Sequence, residues 1–381
     1  AALVDEGVAS IEDTARGAKI GLRWIMGPFE IMNKIGVDRT YTAVAAITKK
    51  YPDFKMPEIL AKQNARGQAF EFKFVDLEIK DAIATITLNR PEAMNALNET
   101  VVAQLDDRFT EAENHPDVKA IVFQGAGKAF VAGADIKYFI DKIKADQIAD
   151  IVAFTRRGHE LFLRIENCAK LTIALLDGLA LGGGSELAMT CQAIVATPAG
   201  SLGFTETGIG IFPGLGGMLR TARMVGPELA KYYMFTGATI SAQDAHALGI
   251  VTKLVAPSDV ESAIQELVVG GLPDKYRQRE IPEKFKPQAM ACSQENVARL
   301  LSGNPPEGVS QDLAARTAKV VGFKAPIALR ISNEIINQQV GKSMEEAVEI
   351  ELGRLNDIFS TADALEGLSS VGRKRPAFKG A

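Results

Sequence analysis

The stretch Leu171-Thr-Ile-Ala-Leu-Leu176-Asp-Gly-Leu-Ala-Leu-Gly182-Gly-Gly-Ser-Glu186-Leu-Ala188 reads as a strand, a short loop, three glycines and the start of an apolar helix. Free N–H groups at such a helix start point outward, and glycines let a ligand come close to them. Donors placed in this way can hold a developing oxyanion. A plain strand–helix turn with capping glycines would carry the same sequence. Working outward, strand-like runs are predicted at Ala120–Gln124, Leu171–Leu176, Gln192–Ala196 and Ile250–Val255. Helical segments fall between them at about Glu99–Asn114, Asp146–Asn167, Gly184–Thr190 and Gly226–Phe235. This alternation predicts an α/β core.

Upstream, Phe70, Phe72 and Phe74 alternate with charged residues, and Ile83, Thr85 and Thr87 alternate with Ala84, Ile86 and Leu88. The pattern predicts a pair of strands joined by a turn near Lys80-Asp81. The chain changes character near residue 66, which divides it into a helical piece, 1–66, and a larger domain, 67–381. In the first piece, Ser10-Ile-Glu-Asp13 is a capping-box variant that would start a helix reaching about Trp24. Gly27-Pro28 breaks it, Phe29–Ile35 follows, Asp38 is expected to cap Arg39–Lys50, and a short helix spans Glu58–Gln63. So few short helices bury too little surface to be comfortably stable alone. In the larger domain, residues 272–308 carry Pro273, Pro282, Pro287 and Pro305-Pro306 and read as a helical insertion or linker. Ser343-Met-Glu-Glu346 is a capping box for a helix to about Phe359.

The composition narrows the function classes. Of 381 residues, 47% are hydrophobic and 24% charged, which excludes a disordered, collagenous or coiled-coil chain. Lys and Arg number 43 against 47 Asp and Glu, a net charge of −4, so nucleic-acid binding is not expected as the main task. Three cysteines (Cys168, Cys191, Cys292) and three histidines (His115, His159, His246) make neither a disulfide framework nor a zinc set. No apolar run approaches the roughly 18 residues of a membrane span. The start Ala1-Ala2-Leu3-Val4 has no initiator Met or signal pattern. The expectation is a cytoplasmic protein that is a piece of something longer.

Several motifs are incomplete. Gly125-Ala-Gly127-Lys128 lacks the earlier Gly and the Ser/Thr of a P-loop, and His159-Glu160 has Leu163 where a zincin helix has its second His. Gly208-Ile-Gly210 and Gly214-Leu-Gly216-Gly217 miss the dinucleotide-binding spacing. Two other segments join the glycine triplet as candidates. Ala129-Phe-Val-Ala132-Gly133-Ala134-Asp135-Ile136 offers small residues and amides between a strand and a helix. In Gly203-Phe-Thr-Glu206-Thr-Gly208 one acid sits among small and apolar residues, twenty positions after Glu186, and the two make a candidate acid–base pair.

Five segments, in order and spacing, closely resemble the crotonase (enoyl-CoA hydratase/isomerase) superfamily. They are Leu88-Asn-Arg-Pro91-Glu-Ala-Met-Asn-Ala-Leu97, Lys128-Ala-Phe-Val-Ala-Gly-Ala-Asp-Ile136, Gly182-Gly-Gly-Ser-Glu186-Leu-Ala, Phe204-Thr-Glu206 and Phe212-Pro-Gly-Leu-Gly-Gly217. The tail Gly372-Arg-Lys-Arg-Pro-Ala-Phe-Lys379-Gly is also similar to that family's end. The resemblance implies an α/β, crotonase-like ββα spiral with a C-terminal helical region. It further implies hydration of trans-2-enoyl-CoA in fatty-acid metabolism (β-oxidation), with an oxyanion hole made by the N–H groups of Ala134 and Gly183. Glu186 is expected to hold the water and Glu206 to transfer the proton. On this expectation the helix dipole keeps Glu186 anionic, and apolar neighbours raise Glu206. Coenzyme A, as part of the substrate, would lie along Ala132, Ala134, Asp135, Ile136 and Lys137, with Arg373 and Lys374 at its phosphates. No other cofactor and no metal are implied.

The first 63 residues separately resemble the distal half of the 3-hydroxyacyl-CoA dehydrogenase C-terminal domain, through Val4-Asp-Glu-Gly-Val-Ala-Ser-Ile-Glu-Asp-Thr-Ala, Met26-Gly-Pro-Phe-Glu, Ile35-Gly-Val-Asp38 and Tyr51-Pro-Asp-Phe-Lys-Met-Pro57. This implies a multifunctional dehydrogenase–hydratase fusion without a nicotinamide (NAD) site in this chain. The implied assembly is a homo-oligomer, a trimer or dimer of trimers. Thr205 replaces the Pro often found before the second Glu, and the 272–308 segment is absent from short hydratases. An enoyl-CoA isomerase, an acyl-CoA hydrolase and a non-catalytic assembly module are the alternatives.

Overall fold

In the computed structural model, which describes residues 1–271, 274–276 and 280–381, the chain falls into two units, Ala1–Phe74 and Val75–Ala381. The first is built from helices Ala2–Asp5, Ile11–Arg16, Pro28–Ile35, Val37–Lys50 and Glu58–Arg66. The Ser10–Asp13 capping box forms, but the α-helix ends at Arg16 and a π-helical turn, Gly17–Gly21, replaces its expected course to Trp24. The fourth helix starts at Val37 with Gly36 as its N-cap, so Asp38 lies inside the first turn and is not the cap. The carboxylate of Asp5 takes the N–H groups of Glu58 and Ile59 at 2.7 and 2.8 Å, closing the start of the last helix. Phe29, Val37, Leu60 and Phe70 form the core, with the Phe29 and Phe70 rings edge to face at 4.8 Å.

The alternating phenylalanines at 70, 72 and 74 are not in a strand. The backbone of Phe70 is paired by a side chain instead: Asn33 donates to its carbonyl at 2.8 Å and accepts its N–H at 2.7 Å. The alternation is satisfied by packing against helices.

Among the described residues of the second unit, ten strands form two sheets. They are β1 (Val75–Lys80), β2 (Ile83–Leu88), β3 (Ala120–Gly125), β4 (Ala129–Ala132), β5 (Leu171–Leu176), β6 (Leu179–Leu181), β7 (Ala193–Ala196), β8 (Ser201–Gly203), β9 (Ile240–Ser241) and β10 (Lys253–Leu254). Asp81 and Ala82 both take positive φ, 50° and 63°, as a two-residue hairpin turn between right-twisted strands requires. The larger sheet runs β1-β2-β3-β5-β7-β10 and the smaller β4-β6-β8-β9. Apart from the antiparallel pairs β1–β2 and β8–β9, neighbours are parallel. The pairs β3–β4, β5–β6 and β7–β8 each give one strand to either sheet, so the chain climbs as a spiral. The predicted strand Ile250–Val255 shrinks to β10 because the N–H groups of Ile250 and Val251 go back to the Ala245 carbonyl. Helix Val260–Gly270 covers the larger sheet, with Ala263, Ile264 and Leu267 against Val122, Ile173 and Val195.

The segment read as an insertion or linker begins at Leu272 and Pro273, which lie outside the described residues. From Glu283 onward it is a packed helical layer and not a linker. Helices Lys286–Ala291 and Gln294–Leu301 bury Ala291, Val297 and Leu300, and Phe285 and Cys292 are buried beside them. The Ser343 capping box forms, but its helix stops at Leu352 and a separate one spans Leu355–Phe359. No helix among the described residues is long and apolar enough to cross a membrane.

Candidate active site

Parallel strands deliver their C-terminal ends to one place, and clefts form there. β4, β6 and β8 end at Ala132, Leu181 and Gly203, and beyond them lies a cavity of about 260 Å³ lined by Ala134, Gly183, Glu186 and Glu206. The sequence-predicted oxyanion and carboxyl positions therefore share one cavity.

The Ala134 loop is set from behind by Asn95, which is 1% exposed. Its amide donates to the carbonyls of Ala126, Ala129 and Phe130 and accepts the N–H of Arg90. Leu97 then bridges the loop, giving its N–H to Gly133 and accepting that of Asp135. Those two bonds leave the N–H of Ala134 out of the bridge. Gly183 opens the helix Gly183–Thr190, where the first N–H groups have no carbonyl behind them, and Gly182 adds no side-chain cap. Gly182 has φ 48°, and a Cβ on it would overlap Glu206 Oε1. At Gly184 a Cβ would overlap the Val131 carbonyl, so this glycine lets helix and β4 touch.

Glu186 and Glu206 are both buried. Glu186 Oε1 accepts the N–H groups of Leu215 and Gly217 at 2.7 and 2.9 Å. Its expected anionic bias is reversed. Burial, then the charges of Glu206 and Glu351, push Glu186 well above the usual carboxyl range, outweighing the two N–H donors. Glu206 opens the 3₁₀ turn Glu206–Ile209. Its Oε2 has no hydrogen-bond partner, and burial pushes it up to about 7 against the opposing charge of Lys324. The rest of the wall is apolar and includes Phe139, Phe154, Phe212, Leu355, Phe359 and Leu368.

Of the residues expected at coenzyme A, Ala132, Ala134 and Ile136 line the cavity, whereas Asp135, Lys137, Arg373 and Lys374 do not. Asp135 caps the helix Ile136–Lys144 and pairs with Arg90 at 3.2 Å. Lys137 pairs with Asp141, and Lys374 with Glu366, each at 2.8 Å. Sequence reasoning missed the strap Leu215–Gly217 as the holder of Glu186, and the wall residues from the last helices. The glycines of the strap were visible as a motif; nothing local in the sequence tied the last helices to the cavity.

A family model described as enoyl-CoA hydratase/isomerase matches residues 83–379. The chain is 30% identical over 306 residues to a short-chain-enoyl-CoA hydratase of Clostridium acetobutylicum, covering 80% of this chain and 97% of that protein. It is 29% identical over 305 residues to a mitochondrial 3-hydroxyisobutyryl-CoA hydrolase of Xenopus laevis, covering 75% and 78%. Among solved structures, an enoyl-CoA hydratase from Rhodobacter sphaeroides is similar with a TM-score of 0.69 at 26% identity, covering 81% of this chain and 93% of that one. The spiral of two sheets with C-terminal helices is the crotonase-like α/β fold expected from the sequence. The chain belongs to the enoyl-CoA hydratase/isomerase family.

Proposed function

We propose that the second unit hydrates trans-2-enoyl-CoA thioesters to 3-hydroxyacyl-CoA. The observation that carries this reading is the pair Glu186 and Glu206, two buried carboxyls on the cavity that Ala134 and Gly183 also line. The thioester oxygen accepts the N–H groups of Ala134 and Gly183. Negative charge grows on that oxygen as water adds to the β-carbon, and losing one such donor typically costs ~10²–10³ in rate.

Two carboxyls raised by burial, with like charge opposing ionisation of both, hold one proton between them and titrate as a unit. The ionised member takes a proton from the attacking water, and the protonated member gives its own to the α-carbon. The pair ends the cycle with one proton, as it began. We assign the grip on the water to Glu186, whose Oε1 is held still by two N–H donors, and the proton transfer to Glu206, whose Oε2 is unpartnered and which rises only to about 7, so that it is the member that ionises first. Coenzyme A enters with the substrate, near Ala132–Lys137 and the basic Arg373-Lys374, and no further cofactor takes part.

Loss of the enoyl-thioester ultraviolet absorbance, followed over short- to long-chain substrates, tests the reading. A folded protein that leaves the absorbance unchanged across the series would remove it. Hydrolysis of a hydroxyacyl-CoA is the second reading, favoured by the similarity to a 3-hydroxyisobutyryl-CoA hydrolase, and release of free thiol distinguishes it. A double-bond isomerase needs one carboxyl, and a non-catalytic assembly module needs neither.

For the first unit we propose descent from the distal dehydrogenase C-terminal domain in a dehydrogenase–hydratase fusion, since the hydration product is what such a dehydrogenase oxidises. A homo-oligomer, trimer or dimer of trimers, completes the proposal and is tested by light scattering.

A further inference from the structure

Behind Glu186 lies a third buried carboxyl that the hydration reading leaves unused. Glu351, on helix Met344–Leu352, is fully buried, as is His159 from helix Ile148–Glu166. Glu351 Oε1 accepts the N–H of Gly216 at 2.8 Å. The two flanking N–H groups, from Leu215 and Gly217, go to Glu186 Oε1. Three consecutive amides are thus divided between two carboxyls from distant parts of the chain. His159 Nε2 comes within 3.2 Å of Glu351 Oε1 without hydrogen-bond geometry. Glu351 Oε2 and both ring nitrogens of His159 have no hydrogen-bond partner. Orphaned buried polar atoms are rare and costly, and an apolar pair would fill the space at least as well.

We propose that Glu351 is a positioning residue for the catalytic pair, anchoring the strap that fixes Glu186 and presenting a second negative charge across it. The inference rests on the hydration reading for its kinetic consequence. Of the cations nearby, Arg156 pairs with Glu349 at 2.6 Å, and the buried Arg220, paired with Glu166 at 2.7 Å, also feels the charge of Glu351 and offsets part of it. The strands beneath the Glu186 helix, β4, β5, β6 and β7, carry no titratable side chain. Glu206 lines the same cavity as Glu186, and Lys324 acts on Glu206 through its charge. Glu351 therefore adds to burial and to Glu206 in raising Glu186, and the pair keeps its working proton to higher pH.

Glu351→Gln keeps an acceptor for Gly216 and removes the charge. Two readouts decide the matter. One is the pH dependence of kcat/KM for crotonyl-CoA hydration. The other is infrared titration of the protonated carboxyl band, assigned by its loss in Glu186→Gln and Glu206→Gln. The alkaline limb and the infrared midpoint should both move down by about one pH unit. If Glu351→Gln does not fold, the double replacement Glu351→Gln, His159→Gln keeps an acceptor for the Gly216 N–H, lets the two amides pair with each other and removes the buried charge, with the same expected shift. An unmoved midpoint in a folded variant overturns the proposal even where the rate falls, because Glu351 would then only hold structure. If the wild type hydrates no enoyl-CoA, the hydration reading fails while the infrared midpoint still decides this one.

Discussion

Gly182 and Glu206 exclude each other: any side-chain carbon on Gly182 would overlap Glu206 Oε1. Gly182 also has φ 48°, which other residues adopt at a cost. Gly182→Ala should therefore displace Glu206 and lower hydration by ~10². If displacement is the cause, Glu206→Gln added to Gly182→Ala should cost little more, since effects through one group are not additive. Fully multiplicative losses in kcat/KM would show that Gly182 acts by another route.

Glu186→Gln and Glu206→Gln should each reduce turnover by at least ~10² while acyl-CoA binding is largely kept. Both replacements conserve shape. In Glu186→Gln the new amide oxygen can still accept the N–H groups of Leu215 and Gly217 that the carboxylate accepts in the wild type. Steady-state rates with calorimetric binding of a saturated acyl-CoA provide the check. Near-wild-type turnover in either variant takes that carboxyl out of the mechanism.

Gly183 allows a sharper test of the amide donors. It stands at the first position of its helix, where proline is well tolerated because its missing N–H is not used by the helix. Gly183→Pro should fold and lose ~10² or more in rate. Gly183→Ala keeps the donor, although its methyl would lie 3.2 Å from Leu97 Cδ1, so it should retain measurable activity. Circular dichroism and thermal melting establish folding. A folded, active proline variant would end the case for this donor.

The carboxyl pair should also be legible in stability. Glu206 rises to about 7 in the folded chain, against ~4.3 for an unfolded glutamate. Between those values the folded state binds more protons at this position than the unfolded state, so stability falls as pH rises. Glu206→Gln removes the liability. Its Tm advantage over the wild type should be smallest near pH 4.5 and grow until about pH 7. A Tm difference that stays constant over this range would contradict the assignment.

Much of the site was readable because it is local. Gly182 to Glu186 spans five residues, and the strand before it, the helix after it and the small residues between are all short-range signals. Glu206 was readable as an acid among apolar neighbours, and the family resemblance fixed its role as an expectation. Glu351 was not, because it meets Gly216 across 135 positions, and no local pattern marks a helix residue that will face another carboxyl. The alternation at Phe70, Phe72 and Phe74 misled for a related reason. Period-two patterning records one-sided burial, and at Phe70 a side chain, Asn33, supplied the hydrogen bonds that a neighbouring strand would have given. Two of the prolines read as marking a linker instead open packed helical turns, Pro282 before Glu283–Phe285 and Pro287 in Lys286–Ala291.

Peptide groups at Ala134 and Gly183 make the site unequal in the face of mutation. One nucleotide change can erase Glu186 or Glu206, whereas an amide N–H survives every replacement except proline. On the hydration reading, a duplicated gene that lost a carboxyl would still encode the amides proposed to grip and polarise the thioester, ready to be turned to another reaction. In such a lineage the grip is heritable with the backbone, and the chemistry is the part that drifts.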